Sequence, residues 1–217
     1  KNQSRQDVAI LNTKNFYIKR ELESKNYLPK VIKIKKNIDN IFLKKINNQY
    51  FNTDGNKENL KFIIEVAKIL KLKKNLLVKT LKKFKGLKYR QEIIYQSNKL
   101  TIINDSKATT FSSSASLLKS LTNVYWIVGG QAKKGDRLLL SKKKCKNIKA
   151  YIFGTSKNFF ISKVKKFMKY ESFLDLKNLV KKLSLEIKLD KNKIHKTILF
   201  SPSAASFDNF KNFEKRG

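Results

Sequence analysis

The chain has 217 residues, 41% of them hydrophobic, and a formal charge of +34 at pH 7. That length holds one large domain or two modest ones, and that apolar content excludes a disordered polyelectrolyte. A single cysteine, Cys145, excludes an internal disulfide framework and suits a reducing compartment, and no apolar run approaches the roughly 18 residues of a bilayer-crossing helix.

Residues 7–11 read as a short strand, and 31–35 alternate in the strand manner. The stretch 37–52 is polar and irregular and specifies no element. Leu60, Ile63, Ile64, Ala67 and Leu70 then recur at helical spacing, with Asn56 placed to cap that helix. A second helix covers 75–84. Gly86 follows where a helix end favours a left-handed residue, and it sets the boundary between a first domain, 1–86, and a second, 87–217. In the second domain, 91–95 and 100–103 form a hairpin turning at Ser97-Asn98. A helix over 109–120, a strand over 124–128, a helix near Leu138 and a strand over 150–153 come next. Helices over 158–168 and 174–185 and a strand over 197–200 complete the pattern. Strands alternating with helices predict an α/β fold whose mostly parallel sheet is covered on both faces.

Ligands of such sheets bind beyond the carboxyl ends of the strands, so the segments that follow the strands carry the functional question. They are Asn-Asp-Ser-Lys-Ala-Thr at 104–109, Gly-Gly-Gln-Ala-Lys-Lys-Gly-Asp at 129–136 and Ser-Pro-Ser-Ala-Ala-Ser-Phe-Asp-Asn-Phe at 201–210. All three are small, polar and charged. Gly129 and Gly130 let a backbone approach a ligand closely, Lys107 and Lys133 offer charge to an anion, and Asp105 offers a carboxylate. The residues alone thus give an anion-binding edge with one acid. Asp105-Ser106 also fits a plain helix cap, and Lys133 is one lysine among many. No Gly-x-Gly-x-x-Gly is present. His195 precedes a strand, away from these loops, and reads as an exposed residue. Cys145 lacks a His or Cys partner at metal spacing.

The charge raises nucleic acid as an alternative, since each neutralised phosphate releases counterions. Yet 45 of the 50 basic residues are Lys and five are Arg, and Arg is the residue suited to bidentate recognition of phosphates and bases. The lysines are spread over the whole chain, with Asn, Ile and Phe also abundant, as AT-rich codons would produce. A basic nucleic-acid-binding module would show Arg interleaved with aromatics or a recognition helix; Phe210 and Phe213 near Lys211 are the only approach to this. The expectation is no specific nucleic acid and no membrane.

Taken together, 104–109, 129–133 and 201–217 resemble the signature segments of the D-glutamate-adding Mur ligases, in the same order and at suitable separations. Phe84-Lys-Gly-Leu-Lys-Tyr-Arg-Gln-Glu92 resembles the hinge before that family's C-terminal domain, and Asn56-Lys-Glu-Asn59 its central-domain asparagine pair. Sister Mur ligases and folylpolyglutamate synthetases carry an Asp-x-Ala-His-Asn-Pro type segment where this chain has 104–109. The resemblance implies that 1–86 is the C-terminal part of a central ATP-binding domain and 87–217 a Rossmann-like C-terminal ligase domain. It implies ATP-dependent joining of D-glutamate to UDP-N-acetylmuramoyl-L-alanine through an acyl phosphate, with Mg²⁺, in a cytoplasmic enzyme that is monomeric at full length. ATP contacts would be Asn56, Asn59, Arg90 and Asp105. The D-glutamate pocket would be Lys107, Thr109, Lys133, Ser206, Phe207 and Phe213. Lysine can pair with a substrate carboxylate and Thr or Ser can donate to its oxygens, while Arg neutralises phosphate charge.

Tyr89 stands where the family usually has His before the Arg, Gly55 where His commonly precedes Asn56, Lys14-Asn15 where an acidic pair is expected, and Ala204 where Cys is frequent. No Gly-x-x-x-x-Gly-Lys-[Ser/Thr] occurs. The chain opens on Lys1, and its one methionine is Met168. It therefore reads as a fragment, with the phosphate loop, the UDP-binding domain, the modified lysine and the main Mg²⁺ ligands expected upstream and no certain catalytic residue of its own.

Overall fold

The computed structural model describes residues 3–24, 29–34, 37–192 and 194–217. They fall into two compact units, Lys1–Phe84 and Lys85–Gly217.

In the first unit, β1 (Val8–Asn12) pairs in parallel with β2 (Lys30–Ile34); Lys35, placed in that strand by its alternation, lies outside the described residues. Helices α1 (Phe16–Ser24), α2 (Asn40–Ile46), α3 (Asp54–Ile69) and α4 (Lys74–Lys83) complete it, with a 3-10 turn at Gln49–Asn52. The segment 37–52, which specified no element, therefore holds a helix. Ile38, Phe42 and Ile46 recur every fourth residue and pack into the core of Ile46, Phe51, Leu60 and Leu81, but intervening Asn and Lys dilute the pattern. Asp39 caps α2 by accepting from Ile41 N at 2.9 Å.

Asn56 does not cap α3. The cap is Thr53, whose hydroxyl accepts from Asn56 N at 3.3 Å, because the helix begins a turn before its first apolar residue. At the far end, Gly86 is left-handed (φ 81°), but the carbonyls that α4 leaves open are satisfied by a side chain. Asn48 Nδ2 donates to Leu81 O at 2.8 Å and Phe84 O at 2.7 Å.

The second unit is built on a six-stranded sheet of order β3-β4-β8-β5-β6-β7. Its strands are β3 (Glu92–Gln96), β4 (Leu100–Asn104), β5 (Val124–Gly129), β6 (Ile148–Phe153), β7 (Lys169–Ser172) and β8 (Lys196–Phe200). All pairings are parallel except the β3–β4 hairpin, where Ile94 bulges between Ile93 and Tyr95. Alternation explains why the central strands are apolar throughout. Trp126 and Val128 of β5 and Ala150 and Ile152 of β6 face one core, with Phe111, Leu117 and Leu118 of α5 (Phe111–Ser120) and Phe160 and Val164 of α7 (Lys157–Val164). Ile127, Tyr151 and Phe153 face the other, against Leu179 and Leu183 of α8 (Leu176–Leu189). Both faces are therefore buried, as parallel sheets require.

The helix expected near Leu138 lies instead at α6 (Lys142–Cys145), where Ser141 accepts from Lys144 N at 3.3 Å. Helix α7 stops at Val164, and β7 follows. Its Lys-Tyr-Glu-Ser sequence carries no apolar run, as suits an edge strand. A last turn, α9 (Phe213–Arg216), is capped by Asn212.

Candidate functional site

The parallel strands β4, β8, β5 and β6 end side by side, so the loops that leave them share one edge of the second unit. These loops are tied into a ring. Gln131 and Ala205 exchange backbone hydrogen bonds, both at 3.0 Å, joining the loop after β5 to that after β8. Arg216 joins the loop after β8 to that after β4: it donates to Ala204 O at 3.0 Å, to Ser106 O at 2.7 Å and to Ser106 Oγ at 3.3 Å. The loop after β6 closes the set, with Thr155 N donating to Asp208 Oδ2 and Ala132 N to Ser156 Oγ.

The glycines serve this ring. A Cβ on Gly129 (φ 146°) would lie 2.1 Å from Phe153 O, and one on Gly130 (φ 120°) 2.7 Å from Ala205 O. Their closeness is to neighbouring backbone, and their amides already donate to Pro202 O and Phe153 O. The close approach read from the two glycines is thus made by the protein to itself.

Asp105 is 4% exposed and caps nothing. Helix α5 begins at Phe111 and its cap is Thr110, six residues after β4 ends, so the cap reading fails on distance along the chain. Ser201 instead donates to Asp105 Oδ2 at 2.6 Å, and Gln91 N donates to Oδ1 at 3.1 Å. Ser201 Oγ continues to Ser114 Oγ and that to Ser203 Oγ, each at 2.6 Å, while Trp126 Nε1 donates to Ser201 O at 2.8 Å. Burial pushes the Asp105 carboxyl up to about 6, against the opposing pull of the Ser201 and Gln91 hydrogen bonds and the Arg90 charge.

Arg90 itself is exposed where it closes a turn on Leu87, and its neighbours Tyr89 (φ 61°) and Gln91 (φ 51°) are both left-handed. Non-glycine residues hold that conformation only when their surroundings enforce it. Here Tyr89 O accepts from Lys107 N at 3.0 Å, Tyr89 N donates to Glu92, and Asp105 holds Gln91. The carboxylate thus fixes the turn that presents Arg90.

Among the other candidates, Lys107 Nζ sits 5.2 Å over the Phe213 ring, a cation–π contact, and Phe213 packs edge-on against Tyr89. Lys133 is exposed two residues beyond Gln131, and Ser206, buried, is next to Ala205, so the Gln131–Ala205 pairing brings their segments together. Thr109 is exposed just before α5, and Phe207 is 73% exposed. In the first unit Asn59 is exposed on α3, whereas Asn56 is 4% exposed and donates through Nδ2 to Tyr50 O at 2.7 Å.

Sequence reasoning missed Arg216, Asp136 and the serine chain. Arg216 is 4% exposed; burial draws its guanidinium down to about 10, and Asp208 opposes that. An arginine among 50 basic residues gave no signal of burial. The loop after β6 could have been found, since Gly154-Thr155-Ser156 follows its strand as Gly129-Gly130 follows β5.

The doubly covered parallel sheet is shared with solved Mur ligases, and in sequence the chain is similar to the C-terminal region of that family. No protein-family model matches it, but MurF from Acinetobacter baumannii shares the fold over 95% of this chain and 51% of its own, with TM-score 0.60 and 12% identity. MurF from Thermotoga maritima, solved with ADP, does so over 91% and 50%, with TM-score 0.56 and 10% identity. By sequence the relatives are the D-glutamate-adding members. The chain is 37% identical over 166 residues to the UDP-N-acetylmuramoylalanine–D-glutamate ligase of Wolbachia sp. subsp. Brugia malayi, which covers 76% of the chain and 33% of that protein. The ligase of the same name from Francisella tularensis subsp. tularensis (strain FSC 198) is 34% identical over 168 residues, 76% of the chain and 39% of that protein. The chain thus spans between a third and two-fifths of the length of these curated relatives.

Proposed function

We propose that the protein carrying this chain joins D-glutamate to UDP-N-acetylmuramoyl-L-alanine at the cost of ATP. In this reading 87–217 is the domain that receives the amino acid and 1–86 part of the ATP-binding domain. The observation that supports it is the closed ring of loops, on which Lys107 and Lys133 are exposed and Ser206 lies beside Ala205; in this reading the lysines meet a dicarboxylate and Ser206 donates to it. Thr109, Phe207 and Phe213 complete the pocket. Arg90, held by Asp105, suits a phosphate, and exposed Asn59 is the better placed of the asparagine pair, since Asn56 serves its own fold. When bound, ATP supplies the phosphoryl group that makes the acceptor carboxylate reactive, and Mg²⁺ would offset phosphate charge. We further assign the enzyme to the cytoplasm, as a monomer, on the family resemblance.

The test is Lys133→Ala in the intact ligase. Removing a charge-assisted partner from a carboxylate costs about 1.5–3 kcal/mol, so the D-glutamate KM should rise roughly ten- to a hundredfold with the ATP KM little changed. An unaltered D-glutamate KM would remove Lys133 from the pocket.

A further inference from the structure

We infer that Asp136 is a positioning residue for D-glutamate, holding the Lys133 turn against the start of α5 beside Thr109. This rests on the reading of Lys133 and Thr109 as D-glutamate contacts.

The tether is one hydrogen bond with a rigid far end. Phe111 N donates to Asp136 Oδ2 at 2.7 Å, a length typical of a charge-assisted bond. Phe111 N is a first-turn donor with no partner inside the helix, and a carboxylate there is favoured by the helix dipole. Thr110 takes another first-turn donor, Ser113 N, so the two side chains share the cap between them. The anchor cannot drift: the Phe111 ring is fully buried, with Trp126, Phe159 and Phe160 at centroid distances of 6.1, 6.1 and 5.6 Å.

The near end is the turn that carries the lysine. Asp136 N donates to Lys133 O at 3.2 Å, with Gly135 left-handed (φ 80°) to close the turn, and Asp136 Oδ1 accepts from Arg137 N at 3.0 Å. The other end of the segment is Gln131, paired to Ala205. Residues 131–136 are thus fastened at both ends, and the exposed side chains of Lys133 and Lys134 project between them. Without Asp136 one end comes free. Lys133 would then be ordered only on binding substrate, and that ordering lowers affinity without removing any direct contact.

The experiment measures D-glutamate KM, ATP KM, kcat and melting temperature in the intact ligase for Asp136→Ala, Asp136→Asn, Lys133→Ala and the double variant Asp136→Ala/Lys133→Ala. Asp136→Ala should raise the D-glutamate KM on the order of tenfold, with the ATP KM unchanged, through lost preorganisation. Asp136→Asn keeps a neutral acceptor for Phe111 N and should recover most of that loss. In the Lys133→Ala background the Asp136 substitution should add nothing, because the two act as a unit. An unchanged D-glutamate KM in Asp136→Ala while Lys133→Ala raises it overturns the inference alone, and so does an additive double variant. Lys133→Ala without effect overturns the underlying reading as well. If Asp136→Ala does not fold, Asp136→Ser, whose hydroxyl is too short to keep the bond to Phe111 N, carries the same double-variant comparison.

Discussion

The first unit gathers Ile46, Phe51, Leu60 and Leu81 into one cluster beneath its helices, while α3 leaves Ile63, Val66 and Ile69 exposed. The second unit buries both faces of a sheet, with Trp126 and Ile152 in one core and Tyr151 and Phe153 in the other. A strand fixed from above and below cannot shift its end, so loops that leave such strands are placed by the core itself. That is where Asp105, Lys133 and Ser206 stand. The first unit offers Asn59 from the surface of a helix whose partner layer is thinner, so precision of placement follows depth of burial beneath the site.

The sharpest way to break this comparison is to cut each core in turn. Phe111→Ala should cost about 3–5 kcal/mol and Leu60→Ala toward the lower end of ~2–5 kcal/mol. In urea unfolding the first should move only the transition of the second unit and the second only that of the first. Equal shifts of one shared transition would show that the units do not differ in the way their cores suggest. A smaller effect probes the first unit alone: Asn48→Ala uncovers the carbonyls of Leu81 and Phe84 and should cost about 1–2 kcal/mol, read in the same melts.

Another effect is a slope with pH. Asp105 is raised from 3.8 to about 6 in the fold, so the folded protein holds that proton more tightly than the unfolded chain does. The group opposes folding above pH 6 and is relieved as pH falls from 6 toward 4. Asp105→Asn removes this dependence. Its melting temperature relative to the unsubstituted protein should be most favourable at pH 7 and should lose that advantage progressively as pH falls from 6 toward 4; a constant difference would mean the carboxyl titrates normally. The substitution suits the fold, because Asn Oδ1 can still accept from Gln91 N while its amide donates to Ser201, whose hydroxyl chain through Ser114 and Ser203 can reverse direction. Ligation should nevertheless fall at least tenfold, about 1.4 kcal/mol of transition-state stabilisation.

The sheet was legible from sequence because its central strands are short apolar runs bounded by Gly and Ser, and the loops were legible because they are small and polar where strands end. The order of β8 between β4 and β5 is a matter of tertiary pairing that no local pattern carries. Helix α2 escaped because Lys and Asn occupy too many of its positions, and β7 because a charged edge strand has no apolar signature. Among the candidates, exposed Lys107 and Lys133 could be named from their loops and Arg90 from the resemblance of 84–92. Arg216 and Ser114 could not, since nothing in an arginine near a chain end or a serine in a helix reports that it is buried. Asp105 was found, but its partners Ser201 and Gln91 lie 96 and 14 residues away, so its role in setting the Arg90 turn needed coordinates.

The bulge at Ile94 has a consequence beyond geometry. Strand β3 ends the sheet, and Ile93, Ile94 and Tyr95 are exposed there, with relative accessibilities of 40%, 57% and 51%. A straight run of such residues would be a template on which a second molecule could add its own strand and begin a fibril. The extra residue throws the free amides and carbonyls of the edge out of step, so an incoming strand finds no continuous ladder. At the opposite edge, Lys169 and Glu171 of β7 reach the same result with charge. One margin of the sheet is kept soluble by an offset in its backbone and the other by its side chains.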